Sequence, residues 1–81
     1  MHIKYFAWIK NITLCDQENL DATKLKTINE IKIYLNKKYP DLKKHIDNDT
    51  LRFAINQEYV SINKQINKND EIAIFPPVSG G

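Results

Sequence analysis

Cysteine, glycine, proline and long apolar runs are all scarce in this sequence. One cysteine in 81 residues cannot form an internal disulfide and is too few for a structural zinc site. No apolar run approaches the ~20 residues needed to cross a bilayer, and the first ten residues mix lysines with aromatics instead of forming a secretory apolar region. We therefore expect a protein of the reducing cytoplasm that has no membrane partner.

A strong charge of one sign is also missing. Twelve Lys and Arg residues against ten Asp and Glu residues give a net charge of +2, which is too small to indicate a nucleic-acid partner. Lysines gather at the end of the predicted helix, but acids interrupt them, so we interpret this stretch as a solvated helix end. An acidic patch on an enzyme that activates this protein is the alternative binding partner of these lysines. The lysines are Lys37, Lys38, Lys43 and Lys44, and the acids are Asp41, Asp47 and Asp49.

What the sequence does contain is a pattern of short strands around one helix. Alternating side chains predict strands at residues 3–9, 51–55 and 71–75. Two further short strands are expected, one between residues 12 and 23 and one at residues 59–60, after a turn that begins at Asn56. Residues 41–50 are polar, and we predict a loop or a short turn of helix anchored by Leu42 and Ile46.

The one predicted helix spans residues 28–38. Thr27 and Glu30 have the spacing of a capping box, in which the Thr27 hydroxyl accepts from the Glu30 amide and the Glu30 carboxylate accepts from the Thr27 amide. Apolar residues at helical spacing give the helix a buried face, and the Tyr39-Pro40 pair ends it. The apolar residues of that face are Ile28, Ile31 and Leu35.

The order strand, strand, helix, strand, short strand, strand is the order of the β-grasp, the fold of ubiquitin. A helix of about three turns covers one face of a mixed sheet of about five strands. We therefore predict an α+β protein with a single β-grasp domain over residues 1–75 and an extended tail over residues 76–81.

Aromatic side chains are predicted on the face of the sheet that the helix leaves open. By alternation Phe6, Trp8 and Phe75 point away from the inward set, which includes Tyr5 and Ile9. An exposed aromatic cluster usually marks an interaction site. The alternative is the opposite face assignment, because a slip of one residue exchanges the two faces of a strand.

The tail is the predicted chemical site. The only two glycines of the chain are Gly80 and Gly81, and they follow Pro76-Pro77 closely. Prolines stiffen and extend a segment, and a glycine without a Cβ can enter a narrow channel and lie close to a nucleotide. We predict that coupling to AMP would activate the carboxylate of Gly81 and that a sulfur nucleophile would then give a thiocarboxylate; a frayed terminus without function is the alternative. The residues predicted to thread into a partner are Pro76, Pro77, Val78, Ser79 and Gly80.

Other reactive residues lack the companions that their chemistry needs. Cys15 has no base nearby in the sequence, so we interpret it as a small hydrophobe and not as a nucleophile. His2 and His45 have no third residue at metal-ligand spacing and are expected on the surface. Because the sequence has no Gly-rich phosphate loop and no paired catalytic carboxylates, we expect no catalytic machinery, no metal and no bound cofactor in this chain.

Four segments resemble the small, sulfur-carrying subunit of molybdopterin synthase. They are residues 75–81, residues 54–60, residues 69–74, and Tyr5-Phe6-Ala7 with Lys10. The similarity runs from end to end and is strongest over residues 54–81. One departure is Lys10-Asn11, where the family commonly has an Arg-Glu pair, since lysine keeps the charge but loses the guanidinium fork.

The resemblance implies a sulfur carrier for molybdenum cofactor synthesis. An ATP-dependent activating enzyme would adenylate Gly81, and a cysteine desulfurase or sulfurtransferase system would install the thiocarboxylate. Two carriers would dock on a dimer of the large synthase subunit, forming a heterotetramer, and deliver sulfur to a cyclic pyranopterin monophosphate to form the dithiolene. The resemblance also implies that the hydrophobic contact with partner proteins involves Phe6, Tyr59 and Phe75.

Three other functions remain open. A sulfur carrier for thiamine thiazole synthesis shares the β-grasp and the Gly-Gly end, but tends to be shorter and lacks the Phe-Pro-Pro segment. A protein modifier would conjugate Gly81 to lysines of other proteins. A plain binding module would keep its function without Gly80-Gly81. The neighbouring genes would separate the two sulfur carriers, since one needs the large synthase subunit and the other needs thiazole synthase.

Overall fold

The protein consists of a mixed sheet that helices cover on one face. The structure is a computed structural model, and it describes residues 1–21 and 23–77. The sheet has five strands in the order β2-β1-β5-β3-β4. Strands β1 and β5 are parallel, and the other neighbouring pairs are antiparallel. The elements in chain order are β1 (His2–Tyr5), α1 (Ile9–Thr13), β2 (Gln17–Asn19), α2 (Ile28–Lys38), a 3-10 helix (Pro40–Leu42), α3 (Lys43–Asp47), β3 (Arg52–Ile55), β4 (Glu58–Val60) and β5 (Glu71–Phe75).

The apolar core lies between this sheet and α2. Alternate residues of β1 and β5 are at most 2% exposed, and they are Ile3, Tyr5, Ile72 and Ile74. The predicted face of α2 is buried against them, as are Leu42 and Ile46, which the 3-10 helix and α3 supply. The predicted sheet, covering helix and inward faces are confirmed. No helix within the described residues is long and apolar enough to span a membrane.

The first strand is shorter than predicted. It ends at Tyr5, and Ala7 adopts a left-handed φ of 55° that turns the chain out of the sheet. Helix α1 begins at Ile9, which is buried all the same. The prediction of a strand through Ile9 was wrong, because an inward Ile9 satisfies both the alternation of a strand and the first turn of a short helix.

Helix α2 has the predicted bounds and half of the predicted capping box. The Thr27 hydroxyl accepts from the Glu30 amide at 3.2 Å. The Glu30 carboxylate, however, accepts from the Lys26 amide at 3.1 Å and not from the amide of Thr27. The chain here is extended, and Thr27 forms an antiparallel bridge with Gln65.

A polar cluster around Glu18 fastens the edge strand β2 to the C-terminal end of α2. The Glu18 carboxylate accepts hydrogen bonds from the Tyr34 hydroxyl at 3.0 Å and from Lys38 Nζ at 3.1 Å. It also accepts from the Tyr39 hydroxyl and from the Cys15 thiol. Burial alone would raise the pKa of Glu18, but these donors outweigh it and hold the pKa below its ordinary value.

The hairpin between β3 and β4 turns through two left-handed residues, Asn56 with φ 51° and Gln57 with φ 72°. This is the pattern of a type I′ turn, which matches the twist of the strands. Asn56 suits the position, and its side chain also ties the hairpin to β5. Asn56 Nδ2 donates to the Asp70 carboxylate at 2.8 Å, and Asn56 Oδ1 accepts from the backbone N–H of Glu71 at 2.9 Å. Gln57 has no such compensation for its left-handed backbone.

Replacing Gln57 by glycine is expected to stabilise the protein. Gln57→Gly removes the steric cost of a Cβ in the left-handed conformation, but it raises the conformational entropy of the unfolded chain. We expect the first effect to be the larger, with a net gain of about 0.5–1 kcal/mol in the free energy of unfolding. Urea denaturation measures the change. Asn48→Gly is the control, because Asn48 has a φ of −84° and glycine there should only destabilise. A lower unfolding midpoint for Gln57→Gly would contradict this account of the turn.

Replacing Glu18 by glutamine is expected to destabilise the protein by about 1.5–3 kcal/mol at pH 7, the range for hydrogen bonds to a charged group. The pKa of Glu18 is lower in the folded chain, so its contribution is full above the unfolded pKa and is lost as the pH falls through the folded pKa. The difference between wild type and Glu18→Gln in urea denaturation should therefore shrink at acid pH. Glu58→Gln, at an exposed position, is the control; equal effects of the two variants would refute the cluster's role.

Candidate functional site

The face of the sheet opposite the helices is shallow at its centre. The strand register places Lys4, Ala73, Ala54 and Tyr59 in one row across four strands. The two alanines in the middle of this row have small side chains, whereas Tyr59 at its end is 79% exposed. The row therefore forms a shallow floor with an aromatic side chain at one edge.

An aromatic pair stands at the end of this face where the chain leaves the sheet. The rings of Tyr59 and Phe75 lie 5.4 Å apart between centroids. Phe6 follows the end of β1, is 45% exposed and donates its amide to the Ile74 carbonyl at 3.0 Å, which keeps it beside Phe75. The structure thus brings the three predicted partner-binding residues to one end of the open face. Partner binding by them stays a prediction.

Trp8 does not belong to this surface. Its ring packs on His45 at 4.6 Å between centroids, because the chain turns away from the sheet after Tyr5. The prediction that Trp8 shares the open face with Phe6 was wrong for the same reason as the longer strand. His45 itself, expected on the surface, is half-buried in this contact.

The remaining residues singled out in the sequence lie apart from the aromatic pair. His2 is half-buried, with its ring nitrogens within 2.8 Å of the side-chain oxygens of Asn19 and Gln17. Cys15 is half-buried beside Glu18. The lysines at the end of α2 and in α3 are exposed, as expected of a solvated helix end, and two of them form ion pairs. Within residues 1–21 and 23–77, no three His, Cys, Asp or Glu side chains form a group that could hold a metal ion.

The base of the tail lies next to the aromatic pair. Strand β5 ends at Phe75, and the chain continues through Pro76, which is half-buried, and Pro77, which is exposed. Because β5 lies between β1 and β3, the tail begins in the middle of the sheet and not at its edge. The other predicted site residues are Val78, Ser79, Gly80 and Gly81, and they lie outside the described residues.

A groove of about 640 Å³ starts at the aromatic pair, and sequence reasoning missed it. It passes the ends of β3 and β4, where Arg52 and Val60 lie, and reaches Lys32 on α2. Four separate segments of the chain line it, so no local pattern could indicate it. The one available signal was the alternation that puts Arg52 on the open face beside Phe75.

Comparisons with known proteins place the chain in a family. The ThiS family matches residues 3–81. The molybdopterin synthase sulfur carrier subunit of Dictyostelium discoideum is 51% identical over 45 residues, which are 53% of this chain and 50% of that protein. The chain thus spans about half the length of this curated relative. The resemblance seen in the sequence is confirmed by these two matches.

Solved structures share the fold along the whole chain. The crystal structure of SAMP1 from Haloferax volcanii has a TM-score of 0.78 and 26% identity, covering 99% of this chain and 97% of that one. A chain in the complex of subunits 1 and 2 of the molybdopterin-converting factor from Helicobacter pylori has a TM-score of 0.69 and 23% identity, and the match covers 99% of this chain and 96% of that one. The β-grasp fold is confirmed. Since the family match covers nearly all residues, this chain belongs to the ThiS family.

Proposed function

We propose that this protein is the sulfur-carrying small subunit of a molybdopterin synthase. The observation that carries the proposal is the 51% identity with the Dictyostelium discoideum sulfur carrier subunit. The geometry of the described residues is compatible with it, since an exposed aromatic pair lies beside the base of the tail. A carrier needs both features, a surface that docks on the partner and a segment that reaches the partner's active site.

In this proposal the chemistry takes place at the carboxylate of Gly81, on partner enzymes. A carboxylate oxygen attacks the α-phosphorus of ATP on the activating enzyme, and pyrophosphate leaves. The outer sulfur of a persulfide on a cysteine desulfurase or sulfurtransferase then attacks the carbonyl carbon, and the C–O bond to AMP breaks. A second thiol attacks the S–S bond of the acyl disulfide so formed, which oxidises the two donor thiols to a disulfide and releases the thiocarboxylate. The resulting thiocarboxylate gives its sulfur to the pterin precursor on the large subunit, and water restores the carboxylate. This chain supplies the reach, since Pro76 and Pro77 extend the tail and Gly80 lets it pass a narrow channel.

Docking on the large subunit would use the aromatic pair. Exposed tyrosine and phenylalanine side chains contribute much binding energy at protein interfaces, because they bury a large apolar area at a small cost in side-chain entropy. Tyr59 and Phe75 contact each other before any partner binds, so part of that ordering cost is already met. The shallow floor beside them leaves room for a side chain of the partner.

A protein modifier is the second candidate. It is favoured by the 26% identity over 99% of this chain with SAMP1, which is the small archaeal modifier protein 1. It would use the same adenylate of Gly81, but a lysine amine would attack the carbonyl carbon and displace AMP, giving an isopeptide bond. A thiamine carrier would form the same thiocarboxylate and dock on thiazole synthase. The product formed and the partner bound therefore separate the three candidates.

Formation of the thiocarboxylate can be measured by intact mass spectrometry. After incubation with ATP, the host's activating enzyme and a sulfur donor, we expect a mass increase equal to the difference between a sulfur and an oxygen atom. Deletion of Gly81 should abolish the increase, whereas the control Ile33→Ala, at an exposed position of α2 outside the tail, should keep it. An unchanged mass with an activating enzyme of demonstrated activity would rule out the carrier function. Adducts on lysines of other proteins would instead favour the modifier.

Truncation of the exposed tyrosine should weaken docking. We expect Tyr59→Ala to reduce the affinity for the large subunit by about tenfold or more, which corresponds to a loss of about 1.4 kcal/mol. Isothermal titration calorimetry measures the affinity. Ile33→Ala is the control, since Ile33 is a large exposed apolar residue of α2 outside the aromatic surface. If both variants bind as tightly as wild type, the open face is not the docking surface.

A further inference from the structure

The groove beside the aromatic pair is lined by both apolar and charged residues, and the proposed chemistry at Gly81 gives these residues no role. Its floor is apolar, since Ile28 and Phe53 are almost fully buried there. Its rim carries Ile62, which is 72% exposed. A large aliphatic side chain exposed at the rim of an apolar groove is typical of a surface that a partner covers.

Two cations overlook this apolar floor. The Lys32 ammonium lies 5.5 Å from the centroid of the Phe53 ring, so it stands above the floor. The Arg52 guanidinium donates to the backbone carbonyl of Asp49 at 2.8 Å. This hydrogen bond orients the guanidinium, and because the acceptor is neutral, the positive charge of Arg52 is not neutralised. Within the described part of the chain, neither cation forms an ion pair. One carboxylate, that of Asp49, lines the groove against two cations, and the groove is therefore suited to an acidic ligand.

The edge of the sheet in this groove favours an extended ligand. Strand β4 lies at the end of the sheet order, so one side of its backbone has no neighbour among the strands that the structure describes. Ile55 and Glu58 flank the two-residue turn and form a hydrogen-bonded pair, and the alternation of antiparallel pairing then directs the N–H and C=O of Tyr59 outward. A peptide in strand conformation could pair with these groups while its side chains reach the floor.

We propose that the groove binds an extended segment of the large synthase subunit in which an acidic side chain stands next to a branched apolar one. The apolar side chain would lie over Phe53, and the carboxylate would face Lys32 and Arg52. The groove is continuous with the proposed docking surface, because Tyr59 and Phe75 line both. This inference rests on the proposed function, and it names the chemistry of the partner segment that the function itself leaves open.

Charge reversal in the groove is the first arm of the test. We expect Lys32→Glu to lower the affinity for the large subunit at least tenfold, with the loss shrinking at high salt, because a like charge would face the acidic segment. The matched control is Lys37→Glu, an exposed lysine of the same helix outside the groove, which should bind within twofold of wild type. Equal losses in the two variants would show a general charge effect and overturn the proposal.

The apolar rim is the second arm. We expect Ile62→Ser to weaken binding severalfold, whereas Ile33→Ser, at a similarly exposed position, should not. In the complex with isotopically labelled chain, the methyl resonances of Ile28, Val60 and Ile62 should shift. Circular dichroism confirms the fold of each variant, and both substituted isoleucines are exposed, so unfolding is not expected to obscure the result.

The outcomes separate this inference from the proposed function. Suppose that Tyr59→Ala loses affinity, that Lys32→Glu and Ile62→Ser bind the large subunit as tightly as wild type, and that the methyl resonances of the groove do not shift on binding. The groove proposal is then overturned and the docking surface stands. If the wild-type chain fails to bind the large subunit, both are overturned. Loss of affinity in Lys32→Glu and Ile62→Ser, with both controls unchanged, supports the groove proposal.

Discussion

The parallel pairing of β1 with β5 is the constraint on which the rest of this structure depends. Its register sets Ile3 beside Ile72 and Tyr5 beside Ile74, so the two central strands direct their buried residues into one layer. Antiparallel partners then add on both sides, and α2 closes the layer from one face. Parallel neighbours need a long connection between them, and here nearly all of the chain lies between the two strands. The first and last strands must therefore come together before the core can be complete.

That pairing also determines where the tail begins. Because β5 is central, Phe75 has a neighbouring strand on either side, with Phe6 after the end of one and Arg52 opposite it on the other. A tail that followed an edge strand would have docking residues on one side alone. The central position surrounds the base of the tail with the aromatic pair, Phe6 and the groove, which is the arrangement expected of a protein that must hold a partner around the point where its tail enters. The shallow row of alanines leaves this surface accessible.

The covering helix is held at both ends by residues that are distant in sequence. At its beginning the chain forms a bridge with Gln65, and at its end Glu18 of β2 accepts hydrogen bonds from residues of α2 and the segment after it. In each case a short strand or loop that packs few apolar side chains is fixed by polar contacts. Since a small domain has little apolar surface to bury, such polar contacts contribute a larger part of the stability at its edges.

The sequence by itself determined the period-two strands, the inward faces of Tyr5 and Ile74 and the bounds of α2, because each follows from side chains close together along the chain. The tertiary structure alone decided where β1 ends, since Ile9 is buried from either a strand or a helix. It likewise decided that Trp8 packs on His45, that Glu30 takes the Lys26 amide, and that four segments meet in a groove. The physical reason is the same throughout: periodicity and capping act over a few residues, whereas these contacts join residues that come together only when the sheet forms.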